Sequence, residues 1–151
     1  MVYSCHTGHL WVADKKGCIH ILKSDDFSEV GTFAKHTQAV NVMTVSKDGK
    51  QIASGDSYRY TYVCDAESML DTAHYAFHPA SILDLSFSDD GNHLATVATD
   101  MSFALIDLQA KTHKQVKNPH FDKKPRTCMV MPDGKVATSG EDCAIRIWNL
   151  E

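Results

Sequence analysis

The segment ATSGEDCAIRIWNLE, residues 137–151, holds a short apolar run, a Gly-Glu-Asp turn and the alternating run Ile145-Arg146-Ile147-Trp148. Alternation at period two is the pattern of a strand with one face covered. A strand needs hydrogen-bonded neighbours, and almost nothing follows Trp148 to provide one. What stands beside this strand therefore decides the fold. The rest of the chain answers by repetition. His36, His78 and His120 are spaced by 42 residues, and so are Leu22, Cys64, Ile106 and Trp148. Asp65 and Asp107 share the step, which Asn149 continues, and Ser4, Ser46 and Ser88 share it too. Asp-Gly pairs fall at Asp48-Gly49, Asp90-Gly91 and Asp133-Gly134, the last displaced by one residue.

Each period carries the same signals in the same order. A histidine is followed by a strand-like run (AVNVMTV, SILDLSF, RTCMVM), then the Asp-Gly turn, then QIASG, HLATVA or KVATSG. A second turn leads to RYTYVC, SFALID or AIRIWN, and a weaker fourth run (TAHYAF, HKQVK) closes the period. Helical periodicity is absent. Four short strands in about forty residues is the arithmetic of a β-propeller blade. The fold class expected is all-β, built of four-stranded antiparallel blades, with units at roughly 1–35, 36–77, 78–119 and 120–151. A blade is stabilised by stacking on the next, so its strands should be apolar on both faces. RYTYVC is read that way, with Tyr58, Tyr60 and Tyr62 on one face and Thr61 and Val63 on the other.

Carried backwards, the 42-residue step aligns Met1 with Met43, Leu10 with Ile52 and Asp14 with Asp56, so the sequence opens inside a blade. It closes after a third strand. The count is about three and a half blades, and closed rings use about four to eight. The expectation is a piece of a seven-bladed ring, from the C-terminal part of a longer chain. The remaining blades, or a second chain, would close the ring and cover the apolar end faces.

Composition removes several alternatives. The net charge of −4 is too mild for a general nucleic-acid binder. No run of eighteen apolar residues occurs, and the start MVYSCHTGHLWV lacks the basic and apolar regions of a secretion signal. The cysteines at 5, 18, 64, 128 and 143 are odd in number and include no C-x-x-C pair. With no further ligands at zinc spacing, no metal or cofactor is expected, and the thiols read as reduced in a cytoplasmic protein. No phosphate-cradling glycine loop, nucleophile elbow or zinc-protease helix motif occurs. Asp25-Asp26 and Asp89-Asp90 fall in turns, where solvation explains them. No catalytic residue is assigned, and the chain is read as non-enzymatic.

His120, Asp133-Gly134, ATSGED and IRIWN together resemble the WD repeat. In that family a histidine, a hydroxyl, an aspartate and a tryptophan form a buried hydrogen-bonded set. The need is physical: a buried carboxylate must be paired, and His and Trp N–H groups are donors. The resemblance assigns His120, Asp142 and Trp148 to this set in the last unit, with the hydroxyl position falling on Gly140 and Ser139 one residue off. It assigns His78 and Asp100 in the preceding unit, which has Ala98 and Ile106 at the other two positions. The unit before keeps His36 but has Tyr58 and Cys64. The sets are therefore expected to be incomplete. The stretches IHILKSDDFSEVGTFAKHTQAVNVMTVSKDG, ASGDSYRYTYVCD, FHPASILDLSFSDDGNHLATVATD and SGEDCAIRIWNL are similar to the C-terminal blades of the actin-interacting protein 1 family. That resemblance implies a protein-interaction scaffold that acts on actin with cofilin in filament disassembly, located at the actin cytoskeleton. A general adaptor for signalling, ubiquitin-ligase or RNA-processing complexes is the alternative.

Charge is unevenly spread. Acidic residues run from Asp48 to Asp107, opposed only by Lys50 and Arg59. Then KTHKQVKNPHFDKKPR supplies Lys111, Lys114, Lys117, Lys123, Lys124 and Arg126. One reading is an edge strand kept from pairing by its lysines. The other is a patch for an acidic partner. Nucleic acid is disfavoured, because only His120 and Phe121 stand among these cations as stacking groups.

Overall fold

A computed structural model describes residues 1–150. The described residues contain strands and turns and no helix. Strands β1 (Val2–Ser4), β2 (His9–Ala13), β3 (Ile19–Lys23) and β4 (Glu29–Phe33) form the first antiparallel sheet. The second holds β5 (Val40–Val45), β6 (Gln51–Asp56), β7 (Thr61–Asp65) and β8 (Asp71–Tyr75). The third holds β9 (Ile82–Phe87), β10 (His93–Ala98), β11 (Ser102–Asp107) and β12 (Thr112–Lys117). The last holds β13 (Pro125–Val130), β14 (Val136–Gly140) and β15 (Ile145–Trp148). Every sheet is a meander in sequence order, as short turns between antiparallel strands require.

The three Asp-Gly turns are built alike. Gly49, Gly91 and Gly134 have φ of 75°, 71° and 81°, the left-handed region that a side chain resists. In two of them a serine locks the turn: Ser46 donates to Asp48 at 2.6 Å, and Ser88 to Asp90 at 2.5 Å. One part of the aromatic reading fails. Strand β7 begins at Thr61, so Tyr58 and Tyr60 belong to the preceding turn. Asp56 caps that turn by accepting from the backbone N–H groups of residues 58, 59 and 60, which delays the strand.

The sheets stack face to face, and each contact buries one core. Trp11, Ile19, Ile21 and Phe33 of the first sheet meet Ile52, Cys64 and Ala66 of the second. Ala53 and Val63 on the other face of the second meet Ile82, Leu94 and Ile106 of the third. Ala95, Val97 and Phe103 then meet Cys128, Val130 and Val136 of the last. First strands of successive sheets lie side by side, β1 by β5, β5 by β9 and β9 by β13, so the sheets fan from that edge. Polar bridges join them: Asn41 Nδ2 donates to Ser81 Oγ at 2.8 Å, and the Cys128 N–H to Asp84 at 3.0 Å.

Two faces lack a neighbouring sheet. On the last sheet Met129, Ile145 and Ile147 are exposed, Ile147 by 59 %. Of the equivalents of Ile147 by the 42-residue step that still have a following sheet, Val63 is buried and Leu105 is partly covered. On the first sheet Tyr3 is exposed and Leu10 is partly so, where the equivalents Ile52, Leu94 and Val136 are fully covered.

Candidate functional site: the loop end of the sheets

In each meander, the turn between second and third strands and the connection to the next sheet lie at one end. The Asp-Gly turns lie at the other. The histidines enter from the first end. His36 Nδ1 lies 3.0 Å from Asp56 Oδ2, and its Nε2 2.8 Å from Ser54 Oγ. His78 pairs with Asp100 at 3.1 Å and Thr96 at 2.8 Å. His120 pairs with Asp142 at 2.8 Å and Thr138 at 3.0 Å. The carboxylates fix the tautomer: Nδ1–H donates to aspartate, and Nε2 accepts from the hydroxyl. In the last sheet Trp148 Nε1 donates to Thr138 Oγ1 at 2.9 Å, extending the chain of bonds to four residues.

The structure thus brings together His120, Asp142 and Trp148, and separately His78 and Asp100. It also supplies members that the sequence reading misplaced. The hydroxyl is Thr138 in the last unit, not position 140, and Thr96 in the preceding one, not position 98. Gly140 is instead where the His120 ring sits, since a Cβ there would meet His120 Cγ at 2.5 Å. In the second sheet Asp56 and Ser54 complete the set, and position 58 contributes only its backbone N–H to Asp56. Ser54, Thr96 and Thr138 are themselves 42 apart, so the signal was present. Asp56, which the step pairs with Asp14, lies two residues before the position that Asp100 and Asp142 share, and was not assigned to the set for that reason.

Electrostatics follow burial and partners. Burial pushes the His36 pKa below its usual value, against the opposing pull of Asp56. For Asp100, burial acts upward, but hydrogen bonds from His78 and Ser102 more than offset it and hold the carboxyl below its ordinary range. Asp142 is held at about 2, burial again acting upward and Arg146 and His120 prevailing. Arg146 Nη1 contacts Asp142 and lies 2.7 Å from His120 Nδ1, so two donors converge on one carboxylate. These groups are occupied by one another. Among the described residues no cluster of three or more metal-ligating side chains occurs, and no helix is long and apolar enough to cross a membrane.

The cations from Lys111 to Arg126 do not form one focus. Lys114 and Lys117 are exposed on β12, while Lys111 sits in the turn before it. Lys123 and Lys124 follow the other end of that strand, where Lys117 also stands, about 20 Å from the Lys111 turn at roughly 3.3 Å per residue. Arg126 is paired with Glu141, and Lys114 Nζ contacts the Leu150 carbonyl oxygen.

Fanned four-stranded sheets with a repeated His–hydroxyl–Asp set define a WD-type β-propeller module. The family model "WD domain, G-beta repeat" matches residues 27–63, 71–107 and 113–149, more than half of the chain, and the chain belongs to that family. An uncharacterized WD repeat-containing protein of Schizosaccharomyces pombe is 28 % identical over 87 % of this chain and 22 % of its own. Actin-interacting protein 1-2 of Arabidopsis thaliana is 26 % identical over 92 % of this chain and 24 % of its own. The chain thus spans about a quarter of the length of these curated relatives. The β-propeller domain of Cps50 (Swd1) from Myceliophteria thermophila superposes with a TM-score of 0.86 at 13 % identity, covering 99 % of this chain and 53 % of the other. That likeness concerns the fold alone.

Proposed function

We propose that this chain is part of a non-enzymatic propeller that docks on cofilin-decorated actin filaments and promotes their disassembly at the cytoskeleton. The observation that carries the reading is similarity along nearly the whole chain to proteins named actin-interacting protein 1, from Arabidopsis thaliana and Caenorhabditis elegans. The architecture supports a docking role, because rigid stacked sheets present loops that can bind without reordering. The histidine sets serve the scaffold: each is closed on itself, with no free nucleophile–base pair. Lys123 and Lys124, at the loop end, are the exposed cations best placed to meet an acidic partner.

Cosedimentation of the full-length protein with filaments, with and without cofilin, tests this. The expected result is more actin in the supernatant only when all three are present. No enhancement at saturating protein overturns the reading and leaves the general adaptor. We further infer that additional blades of the same protein, or a second chain, cover the Met129–Ile145–Ile147 and Tyr3–Leu10 faces. The 151-residue chain alone is then expected to self-associate or melt without cooperativity. A monomer with one sharp transition contradicts that inference.

A further inference from the structure

The turn Ser57-Tyr58-Arg59-Tyr60 at the loop end of the second sheet is built unlike the others. The Arg59 guanidinium carbon lies 5.3 Å from the centroids of both the Tyr58 and Tyr60 rings. Its Nη2 reaches only the Tyr60 hydroxyl, at 3.4 Å, and its buried Nε has no partner. The other two arginines are paired, Arg126 with Glu141 and Arg146 with Asp142. Arg59 has no carboxylate partner among the described residues, although it stands in the most acidic part of the chain. The nearest in sequence, Asp56, is consumed: one oxygen takes three backbone N–H groups of this turn and the other takes His36. The guanidinium is therefore held by a loop pinned to a buried set, flanked by aromatic rings, with no carboxylate on its terminal nitrogens. Such rigid display of Arg between tyrosines lowers the ordering cost of binding, and Arg and Tyr dominate binding hot spots.

We propose that the Tyr58–Arg59–Tyr60 turn is a carboxylate-recognition site, taking an Asp or Glu side chain from an acidic segment of a protein partner. The two terminal nitrogens donate in parallel to the two carboxylate oxygens, and the exposed Tyr58 ring covers the adjoining methylene. The proposal rests on the reading of the chain as a docking scaffold, but not on actin as the partner. Filament cosedimentation judges the partner; the following titration judges the turn.

The test is an NMR titration of the full-length protein, following the Arg59 Nε–Hε resonance and the Tyr58 and Tyr60 rings. The probes are a capped tetra-aspartate peptide, its tetra-asparagine counterpart and inorganic phosphate. Saturable shifts with the aspartate peptide alone are expected. Arg59→Ala is expected to weaken that binding by about tenfold, in the range of a hot-spot truncation. Arg59→Lys keeps the charge without the fork and is expected to fall between the two. It also serves as the folded comparator if the alanine variant loses its amide spectrum. Equal binding by the asparagine peptide, or affinity unchanged within about twofold in Arg59→Lys and Arg59→Ala, overturns the site. Phosphate binding about tenfold tighter than the aspartate peptide overturns carboxylate as its ligand.

Discussion

The second and last sheets solve the same problem in different surroundings. In the second, the His36 and Asp56 side chains are both 0 % exposed, and Asp56 satisfies a whole turn besides its histidine. The position that tryptophan occupies elsewhere is Cys64, whose thiol turns to the Ile52 carbonyl at 3.4 Å. In the last sheet, Asp142 is partly open to solvent, Arg146 joins His120 on it, and Trp148 holds Thr138. A buried carboxylate can be satisfied by backbone N–H groups and one imidazole. A more open one is held by adding a permanent cation. The buried version ties the set to the local backbone, whereas the open version ties it to side chains of the neighbouring strand. The two should therefore fail differently.

The largest expected effect is at Asp56. Asp56→Ala leaves His36 and three backbone N–H groups without their acceptor and should cost about 3–5 kcal/mol, as removal of one member of a buried pair does. Asp142→Ala should cost less, because solvent can replace the carboxylate. Urea unfolding of the full-length protein measures both, and equal losses would erase the distinction. Next comes Trp148→Ala. The half-buried ring packs on Phe103 at 5.3 Å and holds Thr138, so a loss of about 2–4 kcal/mol is expected, just under that of a fully buried tryptophan. Trp148→Phe keeps the packing and gives up one hydrogen bond, about 1 kcal/mol. If the phenylalanine variant is as unstable as the alanine one, the N–H bond matters more than the ring.

The hydroxyls give a smaller and sharper test. Thr96 is fully buried between His78 and its own strand, with no tryptophan behind it. Thr96→Val should cost about 1–2 kcal/mol, since the His78 Nε2 acceptor is left without a donor. A loss below about 0.5 kcal/mol would show that the hydroxyl is dispensable where tryptophan is absent. These hydroxyls also show what the sequence reveals. The blades were legible because strand alternation and Asp-Gly turns repeat at a fixed step, and stacking forces both faces to be apolar. The histidines and two of the three aspartates share that step. The hydroxyls share it as well, but the resemblance placed them near the following turn, where Gly140 clears room for the His120 ring. Asp56 was not legible. Asp56 ends β6, two residues before the position that Asp100 and Asp142 share, and only the folded backbone shows the three N–H groups that hold it there. Arg59 was visible as one of two cations in an acidic stretch but not as one without a carboxylate partner, because pairing is settled by the loop and not by charge order.

The smallest effect separates the two sets by pH. For His36 the folded pKa lies below its ordinary 6.5, because burial disfavours the imidazolium. Between those two values the unfolded chain holds the extra proton, so stability rises with pH there and is lost as pH falls below about 6.5. Asp142 behaves as a depressed carboxyl. Its contribution is whole above its ordinary 3.8 and is lost as pH falls from there to about 2. The urea midpoint should therefore decline in two steps, one below neutrality and one in acid. His36→Gln should flatten the first step and leave the second. Arg146→Gln should shrink the second, since with one donor fewer the folded pKa of Asp142 returns toward its unfolded value while Asp100 still contributes. A single acid step that both variants alter equally would mean that the sheets titrate as one unit, and that burial of Asp56 does not set its histidine apart.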